Sequence, residues 1–371
     1  MNEAKNVREP LFHVARRGTV ALKRQVWARV IAVFGGLITG SLICLVVYGK
    51  SPVEFLWRLV YGNFKSMDSV WNLLRNTAFL LAIGLALIPA FKMKFWNLGG
   101  NGQILMGGIA TVCCMKYLGG ILPDVVVWLF MLVSAVAAGM IWSAIPAIFK
   151  AFFKTNETLF TLMMNYIAAG IVAFAIKKIG GKGTTGSIGV IETAQLPVLF
   201  HDSFLIILSV ALLTVIMTLY MKKSKHGYEI AVVGESENTA KYVGINVRKV
   251  IIRTLILSGA ICGFVGFLFV GASEHTIVTE ETLAKTGFTA FTAIIAVWIA
   301  HNDPIATIGA SFGIIFINNG MPFVKATLGI TEDTVANMII GIMYLFVIAC
   351  EFFISYQVIF NRKNKNALRE M

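Results

Sequence analysis

Long apolar segments, separated by short polar ones, follow one another along almost the whole chain. A helix needs about 20 predominantly apolar residues to cross the hydrocarbon core of a bilayer. Ten segments reach or approach this length, at residues 30–48, 72–91, 95–118, 125–149, 157–176, 204–221, 250–272, 287–300, 304–320 and 335–356. The pattern therefore predicts an all-α polytopic membrane protein with about ten transmembrane helices.

Two parts of this pattern are irregular. The eighth and ninth segments are short, and a tight turn at residues 301–304 separates them, which predicts a tilted hairpin. Residues 52–64 are amphipathic but too short to span, and we expect them to lie in the outer interface of the membrane.

Composition supports the membrane class and excludes a soluble one. Hydrophobic residues make up 57% of the 371 residues, the mean hydropathy is +0.78, and only 14% of residues are charged. A soluble domain carries about 25% charged residues. The five cysteines all lie in predicted spans without metal-site spacing, so they are interpreted as small apolar residues. The sequence predicts no metal and no cofactor in this chain.

The distribution of charge argues against a nucleic-acid partner, despite a formal net charge of +13. With ten spans and the N-terminus inside, most of the 32 Lys and Arg residues fall on one side, which the positive-inside rule makes cytoplasmic. We therefore expect both termini to be cytoplasmic. The expected organisation is a basic segment 1–29, a transmembrane domain 30–356 that begins with a retained signal-anchor, and a basic tail 357–371.

One cytoplasmic loop, residues 222–249, is much longer than a turn requires. It alternates apolar and charged positions, and Ala240, Val243 and Gly244 recur at helical spacing. This pattern predicts a short amphipathic helix that lies against a soluble partner.

A glycine-rich polar stretch opens the third predicted span. It contains three glycines and three amide side chains: Gly99, Gly100, Gly102, Asn97, Asn101 and Gln103. Glycine disfavours regular helix, and unwound backbone inside a bilayer is tolerated only where protein or a water-filled path surrounds it. Two interpretations are open. The glycines break a helix that lines a translocation path, or they mark the point at the interface where the helix begins.

A second polar face lies on the fifth predicted span. Thr158, Thr161 and Asn165 fall on one side of the helix, and Asn165 lies near the middle of the span. A buried amide in hydrocarbon must find hydrogen-bond partners. It either faces a polar cavity or bonds a neighbouring helix, and the sequence favours the packing role.

Small residues four positions apart occur on three spans, at Gly36 and Gly40, Gly259 and Gly263, and Gly309 and Gly313. Such faces let helices approach closely. Glycine is common in membrane helices, so ordinary packing within the bundle is preferred over a dedicated dimer motif.

The absence of charged residues near the centres of the predicted spans, and of nucleotide-binding motifs, restricts the possible transport mechanisms. The predicted spans carry no Asp, Glu, Lys or Arg near their centres, which weakens ion coupling and favours a conduit powered from outside the chain. Residues 181–185 superficially resemble a phosphate loop, but Lys182 is followed by Gly and the context is not strand to helix. The residues therefore offer no ATP site and no catalytic constellation.

Four stretches, in this order and spacing, resemble the signatures of one family, the permease subunits of bacterial ABC importers for simple sugars and nucleosides, within the branched-chain amino-acid permease group. The stretches are Asn97-Leu-Gly-Gly-Asn-Gly-Gln-Ile-Leu-Met-Gly107, Asn156-Glu-Thr-Leu-Phe-Thr-Leu-Met-Met-Asn-Tyr-Ile167, residues 227–246, and Gly287-Phe-Thr-Ala-Phe-Thr-Ala-Ile-Ile-Ala-Val297 followed by Asn302-Asp-Pro304. They cover roughly residues 72–320. The family usually has Glu at the position of Asn101, so the substrate preference of typical members does not carry over.

The resemblance implies a type II-like ABC importer permease fold in the cytoplasmic membrane of a bacterium. Two permeases, identical or homologous, would form the pore. Two cytoplasmic ATPases would bind ATP and Mg, and an extracytoplasmic substrate-binding protein would deliver the cargo. The loop 222–249 resembles the coupling helix that fits a groove in the ATPase, with candidate contacts at Glu235, Asn238, Ala240, Tyr242, Gly244 and Ile245.

The sequence therefore predicts a non-catalytic permease subunit of an ATP-driven importer for a nucleoside or simple sugar. Neutral hydrogen-bonding groups suit an uncharged cargo, and the candidate path residues are Asn97, Asn101, Gln103, Thr161 and Asn165. A stand-alone secondary carrier for a small polar solute is the alternative, and a structural or sensory membrane subunit is a third hypothesis.

Overall fold

The computed structural model describes residues 12–16, 22–180, 188–329 and 356–360, together with scattered residues between 337 and 349. Most of the basic N-terminal segment, most of the C-terminal tail and much of the tenth predicted span lie outside the described residues. The chain divides into two compact units, one formed by Met1–Trp57 with Lys325–Met371 and the other by Arg58–Val324.

The first unit contains the helix α1 (Leu22–Tyr48) and a small two-stranded sheet. Strand β1 (Phe12–Arg16) pairs antiparallel with β2 (Tyr356–Phe360), and Phe12 lies opposite Phe360. The strands come from opposite ends of the chain, so their pairing depends on tertiary proximity and not on a local pattern. The apolar segments predict helices only, and this two-stranded sheet is an addition to them.

All the regular secondary-structure elements of the second unit are helices in its described residues. It takes in most of α2 (Pro52–Phe64), which starts in the first unit, and most of α13 (Pro304–Leu328), which ends there. The remaining elements are α3 (Met67–Lys92), α4 (Gly100–Leu118), α5 (Asp124–Phe153), α6 (Glu157–Gly180), α7 (Phe204–Lys223), α8 (Lys225–Glu235), α9 (Glu237–Tyr242), α10 (Val247–Phe269), a π-helical turn (Val270–Glu274), α11 (Glu280–Thr286), α12 (Ala290–Ile299) and α13 (Pro304–Leu328).

Seven helical segments in the described residues are long and apolar enough to span a membrane, or eight if Phe34–Tyr48 and Pro52–Phe64 form one broken span. A multi-pass membrane protein is therefore confirmed, whereas ten spans are not. The third predicted span, α4, is not among the seven segments. Its first turns carry Asn101 and Gln103 among glycines, which lowers its hydropathy.

The prediction of a hairpin with two short segments is wrong in the length of those segments. The eighth segment is the second half of a longer apolar stretch, Glu280–Ile299, in which α11 and α12 are separated at Gly287. The ninth extends as α13 over 25 residues. The turn between α12 and α13 is tight, as predicted, because His301 and Asn302 both adopt positive φ.

The centre of the second unit is α10, which packs against α5, α4 and α3. Glycines allow this close approach. A Cβ on Gly107 would lie 2.7 Å from the Cα of Gly263, and one on Gly139 would overlap the carbonyl oxygen of Gly259. The face of Gly259 and Gly263 therefore serves packing within the bundle, where van der Waals contact between backbones replaces the hydrophobic effect.

Candidate functional site

A non-helical segment, residues 93–99, connects α3 to α4 inside the protein. It departs from the helix at Lys94, where φ is +60°, and the Phe95 amide donates back to the Ala90 carbonyl at 2.9 Å. Phe95, Asn97 and Gly99 are buried. Buried backbone outside a helix needs partners for its polar groups, and two neighbouring helices supply them.

Two side chains of α6 bind this segment. The Thr161 hydroxyl accepts from the Leu98 amide at 3.1 Å and donates to the Glu157 carbonyl at 2.7 Å. The Asn165 amide donates to the Leu98 carbonyl at 2.8 Å and accepts from the Gly102 amide at 2.8 Å. Asn165 therefore fulfils the packing role that the sequence favoured, because both of its amide atoms serve neighbouring backbone.

The other predicted path residues bond in the same region. Asn97 donates to the hydroxyl of Ser258 on α10 at 3.1 Å and accepts from the Gly99 amide at 3.0 Å. The Asn101 oxygen accepts from the Ala290 amide at 2.8 Å, at the first residue of α12. These bonds join the segment 93–99 to α10 and the first turn of α4 to the first residue of α12.

Gln103 is the exception in this polar cluster, which we define as Asn97, Asn101, Gln103, Thr161 and Asn165. All five side chains are at most 3% exposed. Gln103 makes one long contact, from its Nε2 to the Asn97 Oδ1 at 3.5 Å, and its Oε1 is buried without a partner. Of the cluster, Gln103 therefore retains the clearest capacity to bind another polar group.

The three glycines mark the beginning of a helix and do not interrupt one. Helix α4 starts at Gly100, Gly99 precedes its first turn, and the helix continues unbroken to Leu118. Close packing explains the residue type. A Cβ on Gly100 would lie 2.7 Å from the Ala290 Cβ, and one on Gly102 would lie 2.9 Å from the Asn165 Oδ1. An unwound segment, 93–99, therefore leads into an intact helix, and a role of these glycines in a translocation path stays a prediction.

The loop 222–249 forms two short helices in place of the single predicted one. Ser224 caps α8, accepting from the Gly227 amide at 3.0 Å, and Ser236 caps α9, accepting from the Thr239 amide at 3.2 Å. The Asn246 side chain caps α10 by accepting from the Lys249 amide at 3.1 Å. A serine hydroxyl at a helix start accepts well from the free amides of the first turn. Each of these serines therefore lies between two helices, after the end of one and before the first turn of the next.

The six predicted contact residues of this loop differ in exposure, since four are exposed, Ile245 is half-buried and Ala240 is buried. Glu235, Asn238 and Tyr242 are exposed, and Tyr242 is 92% exposed. Ala240 is fully buried within the chain, so its side chain is not on the exposed surface of α9. Gly244 has φ of +80° and Ile245 donates its amide to the Ala240 carbonyl at 2.9 Å. Gly244 is thus required by a left-handed turn and not by close packing.

Helix α8 is attached to the rest of the unit at two places that the sequence did not reveal. Arg253 on α10 donates to the Glu229 carboxylate at 2.8 Å, and this hydrogen bond holds the pKa of Glu229 below its usual value. Gly234 is buried against the backbone of α3, where an added Cβ would lie 3.1 Å from the Met93 Cα and overlap the Lys92 carbonyl oxygen. Gly234 therefore touches the start of the unwound segment 93–99.

A profile of the family described as "Branched-chain amino acid transport system / permease component" matches residues 70–348. The chain belongs to this permease family. Its match spans most of the described helices, including the polar cluster and both α8 and α9.

Curated relatives of the permease are themselves named as permeases. The guanosine ABC transporter permease protein NupP of Bacillus subtilis is 30% identical, covering 85% of this chain and 91% of that protein. The nucleoside ABC transporter permease protein NupB of Lactococcus lactis is 26% identical, covering 89% and 92%. The glucose ABC transporter permease protein TsgB13 of Haloferax volcanii is 24% identical, covering 91% of each chain.

Aromatic residues near the polar cluster of the permease pack on one another. Trp96 contacts Trp298 and Phe91 edge to face, with ring centroids 5.1 and 5.9 Å apart, and Phe160 lies 4.9 Å from Phe149. Trp96 is 41% exposed, so one face remains accessible. Among the described residues, no group of three His, Cys, Asp or Glu side chains is arranged to hold a metal ion.

Proposed function

We propose that this permease imports a nucleoside or a simple sugar, and that separate subunits bind ATP and Mg and hydrolyse the ATP. The observation that carries this proposal is the pair α8–α9. It exposes Tyr242 at the C-terminal end of α9, and Gly234, in the last turn of α8, packs against Lys92 and Met93. An ATPase that moves α8–α9 thereby acts on the segment 93–99, and through it on the polar cluster.

The cargo class is supported by the relatives and by the chemistry of the chain. The relatives are named for guanosine, nucleoside and glucose transport. The polar cluster is neutral, so no charge has to be desolvated there, and four of its five side chains bond other parts of the chain. Gln103 is the proposed contact in the polar cluster, since its Oε1 has no partner.

The proposed assembly contains two permeases, identical or homologous, two cytoplasmic ATPases and an extracytoplasmic substrate-binding protein. Pairing of β1 with β2 supports a location of both termini on one side of the membrane, as an even number of spans requires. The excess of Lys and Arg in the loops on that side supports a cytoplasmic location. Alternating access would then be a two-state equilibrium that ATP binding biases.

The proposal is tested with the full transporter reconstituted in proteoliposomes, by measuring guanosine and glucose uptake with and without ATP. We expect uptake of one of these cargo classes to require ATP and to persist in the presence of a proton uncoupler. Uptake that needs no ATPase and collapses with the uncoupler would establish the secondary carrier in its place.

A second test addresses the contact with the ATPase. Tyr242→Ala removes an exposed side chain without touching the packing of Ala240, whereas Tyr228→Ala removes the matched exposed Tyr on α8. We expect Tyr242→Ala to weaken co-purification of the ATPase, and Tyr228→Ala to have a smaller effect. Equal retention of the ATPase by both variants and the wild type would contradict the assignment of α9.

A further inference from the structure

A groove with both charged and apolar walls lies where the C-terminal end of α5 meets the N-terminal end of α10. Its volume is about 530 Å³. Arg248, Lys249 and Arg253 supply the cationic part of its lining, which we call the charged wall, and Phe152, Ile252 and Ile256 supply the apolar part, which we call the apolar wall. The polar cluster and the residues of α8 and α9 do not contribute to this lining.

The charged wall of the groove is arranged to receive an anion. The guanidinium of Arg248 lies 5.4 Å from the centre of the Phe152 ring, a cation–π contact that positions the group without using its N–H donors. Glu229 pairs with the terminal nitrogen of Arg253, whereas the Arg253 Nε is buried without a partner. The lining itself includes no carboxylate, and because Glu229 compensates Arg253, the positive charge surplus comes from Arg248 and Lys249.

The first turn of α10 adds to this potential. The Asn246 side chain satisfies the Lys249 amide, and the remaining amides of the first turn contribute the positive end of the helix dipole. This contribution is secondary to the Arg248 and Lys249 side chains, but it has the same sign.

The apolar wall extends from the cations toward the membrane interior. Both α5 and α10 belong to segments that are long and apolar enough to span the bilayer. Phe152 is 55% exposed, while Ile252 and Ile256 are half-buried one and two turns into α10. A ligand of this groove therefore needs an anionic head beside the Arg and Lys side chains and a hydrocarbon chain along the Phe and Ile side chains.

We propose that this groove is a binding site for an anionic phospholipid of the cytoplasmic leaflet, with its phosphate on Arg248 and Lys249 and an acyl chain on Phe152, Ile252 and Ile256. The cytoplasmic assignment rests on the orientation given under the proposed function. A free phosphate would use the cationic wall alone, whereas a phospholipid uses both walls.

The test uses the complete transporter, purified in detergent with its partner subunits and incubated with phosphatidylglycerol or phosphatidylcholine. Native mass spectrometry counts the lipid bound to each permease. We expect the wild type to retain phosphatidylglycerol in preference to phosphatidylcholine. Arg248→Gln combined with Lys249→Gln should bind it about 30-fold more weakly, from the contribution of two cations close to an anionic lipid.

Two further variants control for charge and for the apolar wall. Lys154→Gln combined with Lys223→Gln removes the same charge from exposed positions outside the groove, and should leave lipid binding unchanged. Ile256→Ala should weaken binding of phosphatidylglycerol but not that of inorganic phosphate, which distinguishes a lipid from a free anion.

Three outcomes would overturn the lipid site. Lipid retention could be equal in the wild type and the Arg248–Lys249 double variant, or equally reduced in the control pair. Alternatively, crosslinking from Lys249 could yield the ATPase and no lipid, which would make the groove a protein interface. Each of these results leaves the ATP dependence of uptake intact, so the failure of the lipid site is separable from a failure of the proposed function.

Discussion

At the scale of single residues, neutral amide side chains supply the hydrogen bonds that buried backbone groups of the candidate site require. Asn165 is 3% exposed and serves two backbone groups, one in the unwound segment and one in the first turn of α4. A backbone group left without a partner in such surroundings costs about 1–3 kcal/mol. Asn165 is therefore a structural requirement for segment 93–99, whatever its part in transport.

Replacing this amide tests the requirement. Asn165→Leu should lower the thermal stability of the purified permease by about 2 kcal/mol or more, because the Leu98 carbonyl and Gly102 amide lose their partner. Asn238→Leu changes an exposed Asn of α9 in the same way and should have little effect. Thermal unfolding in detergent gives both values, and similar midpoints for the two variants would count against this role.

The ion pair between Glu229 and Arg253 should make part of the stability depend on pH. The Arg253 hydrogen bond lowers the folded-state pKa of Glu229 below the ordinary value of about 4.3. The stabilisation is therefore present above that ordinary value and is lost as the pH falls through the lower folded value. We expect Glu229→Gln to be less stable than the wild type at pH 7, with a difference that shrinks below about pH 4.

An exposed pair provides the comparison. Glu281 and Lys285 form an ion pair at 2.7 Å, with side chains 77% and 74% exposed. Exposed pairs are screened by solvent and contribute little, so Glu281→Gln should leave the unfolding midpoint unchanged at both pH values. A pH dependence of the same size in both variants would show that burial of Glu229 is irrelevant.

At the scale of elements, α8 is the link between the exposed α9 and the interior. Gly234 lies so close to Lys92 and Met93 that any side chain would displace α8 from the start of segment 93–99. This contact joins an element on the surface to one in the core, and it depends on a single missing Cβ.

The contact at Gly234 predicts an uncoupled transporter. Gly234→Ala should retain the ATPase but lose cargo-stimulated ATP hydrolysis and uptake by tenfold or more, because α8 can no longer press on the segment. Gly170→Ala is the matched control, since a Cβ there has no neighbour within 4 Å. Hydrolysis and uptake are measured in proteoliposomes, and coupling that survives Gly234→Ala would exclude this route.

At the scale of the whole molecule, the described helices of the second unit are assembled around α10. Helices α3 and α10 are largely enclosed by protein, whereas only 22% of the apolar window of α5 and 28% of that of α7 is buried. The enclosed helices approach their neighbours through glycine, as at Gly107 and Gly263. Exposed apolar faces are the expected surface of a protein in lipid.

This arrangement predicts which glycines the bundle requires. Gly263→Val should reduce the yield of folded permease and its stability by about 1–3 kcal/mol or more, because α10 would have to move away from Ala135. Gly313→Val on α13 is the control, since a Cβ there meets nothing within 4 Å. Fluorescence size-exclusion chromatography separates the two cases, and equal yields would show that the close packing is dispensable.

The sequence by itself determined the class of this protein and the position of its distinctive segments. Long apolar runs require membrane helices because backbone groups in hydrocarbon must be bonded within the chain. The amides and glycines near residue 100 and the polar loop 222–249 stood out for the same reason, since each conflicts with a simple hydrophobic span.

Only the tertiary structure decided what those residues do. The sequence could not distinguish a broken helix from a helix start, because the answer depends on Thr161 and Asn165, more than 60 residues away. It did not reveal that Ala240 faces inward, nor that Gly234 meets Lys92 and Met93. Periodicity reports the face of a helix, whereas contact between remote segments depends on how the helices are assembled.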